Sequence, residues 1–387
     1  VADSSTFAAQ QADLSRLEQT SRRRRLSGRG GADFSSNDYL GLAASRELAA
    51  AVQAALERGV PVGSGGSRLL RGNHEEHEAL EAEAAAFFGC ARTLYFSSGF
   101  AANSALLSTL PQRGDLIIHD ELIHASALEG MRLGRAEYVA VRHNDANAFE
   151  GALRDWRRRG GVGTNGGRVW LAVESLYSMD GDRAPLDDLA SIAARHDAVL
   201  LIDEAHATGV FGPEGRGLAA HLEGADNVIT LRTCGKALGC EGALVCAPAV
   251  VADFLINRGR GFIFSTAPSP LMAAAVRAAL QLVKNEPQRR ERLWQRVRLA
   301  EQVLAPHGAL VSGSQILPVI IGEDGAAMAL GAALQQAGFD VRGIRPPTVP
   351  PGTARLRLAI TLNLSDDEIR GLGEAMREVS ALVAQSS

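Results

Sequence analysis

The run Val199-Leu200-Leu201-Ile202 has no polar break, and it ends directly on Asp203-Glu204-Ala205-His206. A strand with one wet face alternates apolar and polar residues. A strand apolar on both faces belongs in the middle of a parallel sheet covered by helices. Parallel neighbours need crossover connections, usually helices, and the surrounding sequence supplies them. Strand-like segments at Leu94–Phe96, Asp115–His119, Tyr138–Val141 and Arg168–Glu174 alternate with helical ones at Ala101–Leu110, from His124 onward, Ala146–Arg158 and Pro185–His196. The pattern predicts an α/β domain with a mainly parallel sheet. Ligands of such sheets bind outside the carboxyl ends of the strands. Asp203 and His206 therefore stand where chemistry is expected, although Asp203 also reads as an ordinary helix N-cap.

The flanks suggest further units. A helix from Ser45 to Arg58 follows a short strand and turn at Asp33–Leu42. The loop Gly63-Ser64-Gly65-Gly66-Ser67-Arg68 either lets backbone approach a ligand or is a linker, and both readings stay open. The helix Asn73–Phe88 carries His74 and His77, which are expected on a polar face; three apart, they do not make the i, i+4 metal pair. The glycines of 160–167 neither follow a strand nor open a helix, so they are no dinucleotide fingerprint. Helices dominate from Pro248 to Pro306. A compact terminal unit then reads as strand Ile316–Ile321, helix Ala326–Gln336, strand Asp340–Ile344, a rigid Arg345–Gly352 segment, strand Ala354–Ile360 and a helix from Ser365 to about Ala384. With 387 residues the chain exceeds what one core usually serves. The expected division is an N-terminal arm over 1–50, a large domain over 51–286 and a small α/β C-terminal domain over 287–387.

Composition narrows the chemistry through one residue type. The 40 lysines and arginines include only two lysines, Lys236 and Lys284. Arginine keeps its proton at any workable pH, whereas a desolvated lysine loses it and becomes an amine nucleophile. Lys284 ends an amphipathic helix. Lys236 sits among small residues in T-C-G-K-A-L-G, between the strand-like runs Val228–Leu231 and Ala243–Cys246. The net charge of −4 argues against a nucleic-acid protein. Arg22-Arg23-Arg24-Arg25 lacks interleaved aromatics and reads as a solvated face. Cys90, Cys234, Cys240 and Cys246 show no C-x-x-C spacing, so neither a disulfide frame nor a metal site is expected. No apolar run is long enough to span a membrane, and a cytoplasmic location is expected.

Ser98-Gly99, His124, Asp203, His206, Thr233 and Lys236 all fall at or just after strand ends. Together they offer a phosphate cup at a helix N-terminus, an acid and an amine. That combination suits pyridoxal 5′-phosphate. Seven stretches then carry a resemblance: S-S-N-D-Y-L-G-L at 35–42, G-S-G-G-S-R at 63–68, S-S-G-F-A-A-N at 97–103, H-A-S at 124–126, S-M-D-G-D at 178–182, D-E-A-H-A-T-G at 203–209 and T-C-G-K-A-L-G at 233–239. The chain resembles the α-oxoamine synthases among the fold-type I pyridoxal phosphate-dependent transferases, from about residue 33 to 360. I-R-P-P-T-V-P-P-G-T-A-R-L-R-L at 344–358 is similar to the biotin-pathway branch.

The resemblance implies L-alanine and pimeloyl-CoA or a pimeloyl-acyl carrier protein as substrates, and a cytoplasmic homodimer with shared active sites. It implies that Lys236 carries the cofactor, Asp203 pairs with its ring nitrogen, His124 stacks on the ring, and His206 and Ser178 contact the ring oxygen. Gly99, Phe100 and Thr233 would hold the phosphate, with Ser265 and Thr266 reaching the partner subunit's phosphate. Asn37 and Arg357 match positions near the amino-acid carboxylate, and Thr348 and Arg22 match positions for the acyl substrate. A relative using glycine and acetyl-CoA, 2-amino-3-ketobutyrate ligase, is the nearest alternative, and the 344–358 stretch argues against it. A non-catalytic relative kept for partner binding would lack Lys236. Cys234 and Glu241 depart from the family's pattern beside the lysine.

Overall fold

The computed structural model describes residues 6–26, 28–160 and 167–385. Residues 161–166 of the glycine-rich 160–167 loop lie outside them. The chain forms two compact units, one of Leu40–Ser178 and Asp182–Glu291, the other of Val1–Tyr39, Met179–Gly181 and Arg292–Ser387.

The larger unit holds a seven-stranded sheet. Its order from edge to edge is Arg92–Phe96, Ala243–Ala247, Val228–Thr233, Val199–Asp203, Val169–Glu174, Leu116–Asp120 and Glu137–Val141. Val199–Asp203 is central, buried along its whole length and parallel to both neighbours, as its unbroken apolar run requires. Ala243–Ala247 alone runs against its neighbours. The connection from Thr233 to Ala243 is too short for a crossover helix, so the chain must return antiparallel. Arg92–Phe96, read among the parallel strands, is instead an edge strand paired antiparallel with Ala243–Ala247.

Side-chain alternation divides the core in two. Ile117, Ala172, Leu201, Ile229 and Leu231 pack on one face with Ala102, Ala105 and Leu106 of the helix Gly99–Thr109. Ile118, Leu171, Val173, Leu200 and Ile202 pack on the other with Phe149, Leu153 and Leu189. Extending the first face to the strand ends places His119, Glu174, Asp203 and Thr233 on the side of the Gly99–Thr109 helix.

The histidines near residue 75 differ from expectation. His77 is fully buried. Its Nδ1 accepts from the His74 N–H, and its Nε2 lies 2.8 Å from the Pro268 carbonyl. His74 Nδ1 accepts from the Glu76 N–H, so the pair caps the helix Glu75–Phe88 instead of facing water.

In the smaller unit, Gly343–Ile344, Ala354–Ala359 and Ile316–Gly322 form an antiparallel sheet. The single strand expected over Asp340–Ile344 is split. Phe339–Asp340 pairs in parallel with Ala32–Asp33, whereas Gly343–Ile344 pairs with Leu356 and Arg355. The first of these pairings ties the N-terminal segment to the C-terminal residues, where a separate arm over 1–50 was expected. The division between units falls within the helix Pro287–Leu304, not at 286. No helix among the described residues is long and apolar enough to cross a membrane.

Candidate active site

Lys236 sits on the short return from Thr233 to Ala243. The Cys234 N–H donates to the Gly242 carbonyl at 2.9 Å, Cys240 N–H to Cys234 at 2.8 Å and Gly239 N–H to Lys236 at 2.8 Å. Gly239 has φ +63°, and a Cβ there would lie 2.4 Å from the Ala43 nitrogen. Gly242 has φ +100°, and its Cβ would enter the Tyr95 ring. Only glycine combines that backbone with that proximity. The Tyr95 hydroxyl donates to the Glu241 carbonyl at 2.7 Å. This accounts for the two atypical residues. Cys234 is a buried closing residue of the loop, and Glu241 contributes its carbonyl while its side chain is exposed. The loop so fixed puts Lys236 Nζ 2.6 Å from His206 Nε2.

Asp203 is almost fully buried at its strand end. Its Oδ1 accepts from the Ala205 N–H at 2.9 Å, and its Oδ2 accepts from Asn103 Nδ2 at 2.7 Å. Asn103 Nδ2 lies 3.0 Å from Ser126 Oγ as well. Ser126 Oγ is 2.7 Å from Nδ1 of His124, which caps the helix Ala125–Leu133. His124 is exposed as a residue, yet atoms packed around the ring desolvate it and push its pKa down; Asp203 opposes and Lys236 reinforces this. His124 therefore feels both Asp203 and Lys236.

Ser98 opens the helix Gly99–Thr109, its hydroxyl accepting from the Ala101 N–H. The first N–H groups of a helix have no intrahelical acceptor, and that end is electropositive. A Cβ on Gly99 would lie 3.8 Å from Thr233 Oγ1, so the helix end faces the Thr233 hydroxyl. Phe100 is half exposed. Buried carboxylate, amine, imidazoles and a hydroxyl beside a helix N-terminus form a donor set that fits pyridoxal phosphate. Ser178 donates its N–H to the Glu174 carboxyl. Ser265 and Thr266 lie beside the glycine-rich loop: Ser265 Oγ donates to the Thr266 carbonyl, and the Ala267 N–H donates to the Gly66 carbonyl at 2.8 Å. Ser64 Oγ donates to Pro268, so the 63–68 loop is anchored and is no free linker.

The remaining expected residues cluster in the smaller unit. Asn37 Oδ1 accepts from Arg357 at 2.9 Å and from the Tyr39 hydroxyl at 3.0 Å. Arg355 pairs with Asp180 of the S-M-D-G-D segment. Within the arginine run, Arg24 donates to Thr348 Oγ1 at 3.2 Å, and Arg22 pairs with Asp324 at 2.6 Å.

Asn103, Ser126 and Glu174 were not singled out from the sequence. Asn103 left a signal, as a polar residue within the apolar helix G-F-A-A-N-S-A-L-L. A second network joins His143 to Asp120 at 2.9 Å and to Asp182 at 2.7 Å. The structure also groups thiols that the spacing did not. Sγ of Cys90 and Cys246 and a Glu223 carboxylate oxygen lie within 4.8 Å of one another. The strand pairing that sets Thr93 opposite Cys246 brings them close. Glu223 is already bound to Arg232 and Thr230 there.

Residues 30–376 match the family described as aminotransferase class I and II. An 8-amino-7-oxononanoate synthase from Geobacter sulfurreducens is 43% identical over 349 residues, covering 89% of this chain and 87% of the relative. The structure of an 8-amino-7-oxononanoate synthase from Francisella tularensis aligns with a TM-score of 0.74 at 28% identity, over 91% of this chain and 99% of the other. A serine palmitoyltransferase variant from S. paucimobilis, solved with a bound PLP–myriocin adduct, aligns with a TM-score of 0.85 at 27% identity, over 97% and 98%.

Proposed function

The chain belongs to the class I and II aminotransferase family and, within it, to the 8-amino-7-oxononanoate synthases, and we propose that it condenses L-alanine with a pimeloyl thioester, releasing carbon dioxide and 8-amino-7-oxononanoate for biotin synthesis. It is a pyridoxal phosphate-dependent acyltransferase. The observation that carries the reading is the Lys236–His206 contact of 2.6 Å, on a loop held rigid beside the strand end that bears Asp203.

Pyridoxal phosphate, when bound, supplies a protonated ring that draws off negative charge developing at the amino-acid Cα. Asp203, held by Asn103 and Ala205, would keep the ring nitrogen protonated. Thr233, Gly99 and Phe100 would hold the phosphate, His124 would support the ring, and Ser178 and His206 would bond its oxygen. The short Lys236–His206 bond needs a lone pair on one of the two nitrogens, so the pair cannot be doubly protonated in this geometry. An amine so placed takes the Cα proton and later returns one. The Cα then bonds to the thioester carbonyl, the C–S bond breaks and the thiol leaves with a proton. The amino-acid carboxyl departs as carbon dioxide.

Arg357, oriented by Asn37 and Tyr39, receives the alanine carboxylate. Thr348 and Arg22, with Arg24 bonded to Thr348, receive the acyl substrate. Coenzyme A and an acyl carrier protein both present the same thioester chemistry. The protein acts as a cytoplasmic homodimer in which Ser265 and Thr266 reach the other subunit's phosphate. Assaying alanine against glycine with pimeloyl and acetyl thioesters tests the reading: alanine with pimeloyl-CoA turns over fastest, and a strict preference for glycine and acetyl-CoA contradicts it.

A further inference from the structure

Glu174 ends the strand next to the one that ends on Asp203, and the two are register partners. Paired residues of parallel strands share a face, here the face of the Gly99–Thr109 helix. Glu174 is 2% exposed, and its Oε1 has no hydrogen-bond partner among the described residues. The Ser178 N–H donates to the carboxyl group. Among the charged groups that act on it, Asp203 and Asp120 are acidic and Lys236 is basic. Tyr177 lies against it too. Two carboxylates on adjacent buried strand ends cannot both ionise cheaply. Asp203 has two donors, from Asn103 and Ala205, and Glu174 has the Ser178 N–H. Of the two carboxyl groups, Asp203 is thus the one with more donors to compensate a negative charge. Burial first, then Asp203, pushes the Glu174 carboxyl well above the usual range, with Lys236 opposing.

We infer that Glu174 is a positioning residue of this site: a neutral acid that fixes the Ser178 main chain beside Asp203 and leaves Asp203 to carry the negative charge. Ser178 is the residue proposed to bond the ring oxygen, so the inference rests on the pyridoxal phosphate reading. Glutamine copies a neutral acid in shape and charge, and alanine copies neither.

Infrared spectra of the cofactor-loaded protein test this near neutral pH. The wild type shows the carbonyl stretch of a protonated carboxyl group, and Glu174→Gln loses it. Pyridoxal phosphate affinity, by equilibrium dialysis, stays within about threefold of wild type in Glu174→Gln and falls about tenfold or more in Glu174→Ala. Absence of the band in the wild type overturns the inference, and that spectrum depends on no variant. A band unchanged in Glu174→Gln overturns it, as does a Gln variant that fails to fold or loses the cofactor as alanine does. Failure to condense alanine would instead contradict the proposed function and leave the band untouched.

Discussion

Asn103 spends its amide on Asp203 and Ser126, so one side chain ties the proposed ring-nitrogen partner to the helix that His124 caps. A hydrogen bond to a charged group contributes about 1.5–3 kcal/mol. Asn103→Ala should therefore weaken pyridoxal phosphate binding on the order of tenfold to a hundredfold, measured by dialysis. Unchanged affinity would show that Asp203 needs no such support. His143 makes a prediction about pH. Burial lowers its pKa, but the bonds to Asp120 and Asp182 win and push it up to about 10. The stability it adds is complete below the free imidazole value of about 6.5 and is lost as pH rises through about 10. Urea midpoints should decline with pH across that window in the wild type and decline less in His143→Gln. Equal slopes would exclude the network as the cause.

At the scale of elements, the 234–242 return sets the position of Lys236. Gly239→Ala forces a left-handed backbone and drives a methyl into Ala43, a cost of about 1–3 kcal/mol for the strain alone. The expected result is a melting temperature lower by several degrees, about 2–4 °C per kcal/mol at a domain of this size, together with weaker cofactor binding. A variant with wild-type melting would mean that the loop adapts. Much of this level was legible in the sequence. The unbroken Val199–Ile202 run specified a central strand; the strand-end rule singled out Asp203 and His206 as candidates, and the scarcity of lysine singled out Lys236. Other parts depend on pairings that no local pattern encodes. Arg92–Phe96 reads like any short apolar strand, and only the antiparallel return of Ala243–Ala247 makes it an edge. Glu174 looks like the last letter of a buried strand until Asp203 becomes its register partner. His77 looks amphipathic by spacing, but the helix start uses it as a cap.

At the scale of the whole molecule, the sequence placed the fold class, and family membership agrees with it. Domain boundaries were less legible, because a two-residue pairing of Ala32–Asp33 with Phe339–Asp340 assigns the N-terminal segment to the C-terminal unit. The acyl-binding choice within Arg22–Arg25 had no local signal, since four identical residues differ only in the partners that the fold supplies. Lys236 is proposed to drive a decarboxylative condensation of alanine. The most direct test supplies carboxyl-labelled L-alanine and pimeloyl-CoA to the cofactor-loaded protein and follows labelled carbon dioxide together with free coenzyme A. The account predicts equal amounts of both from the wild type, and a loss of at least about a hundredfold in Lys236→Ala. Coenzyme A release without labelled carbon dioxide, or undiminished turnover in Lys236→Ala, would contradict it.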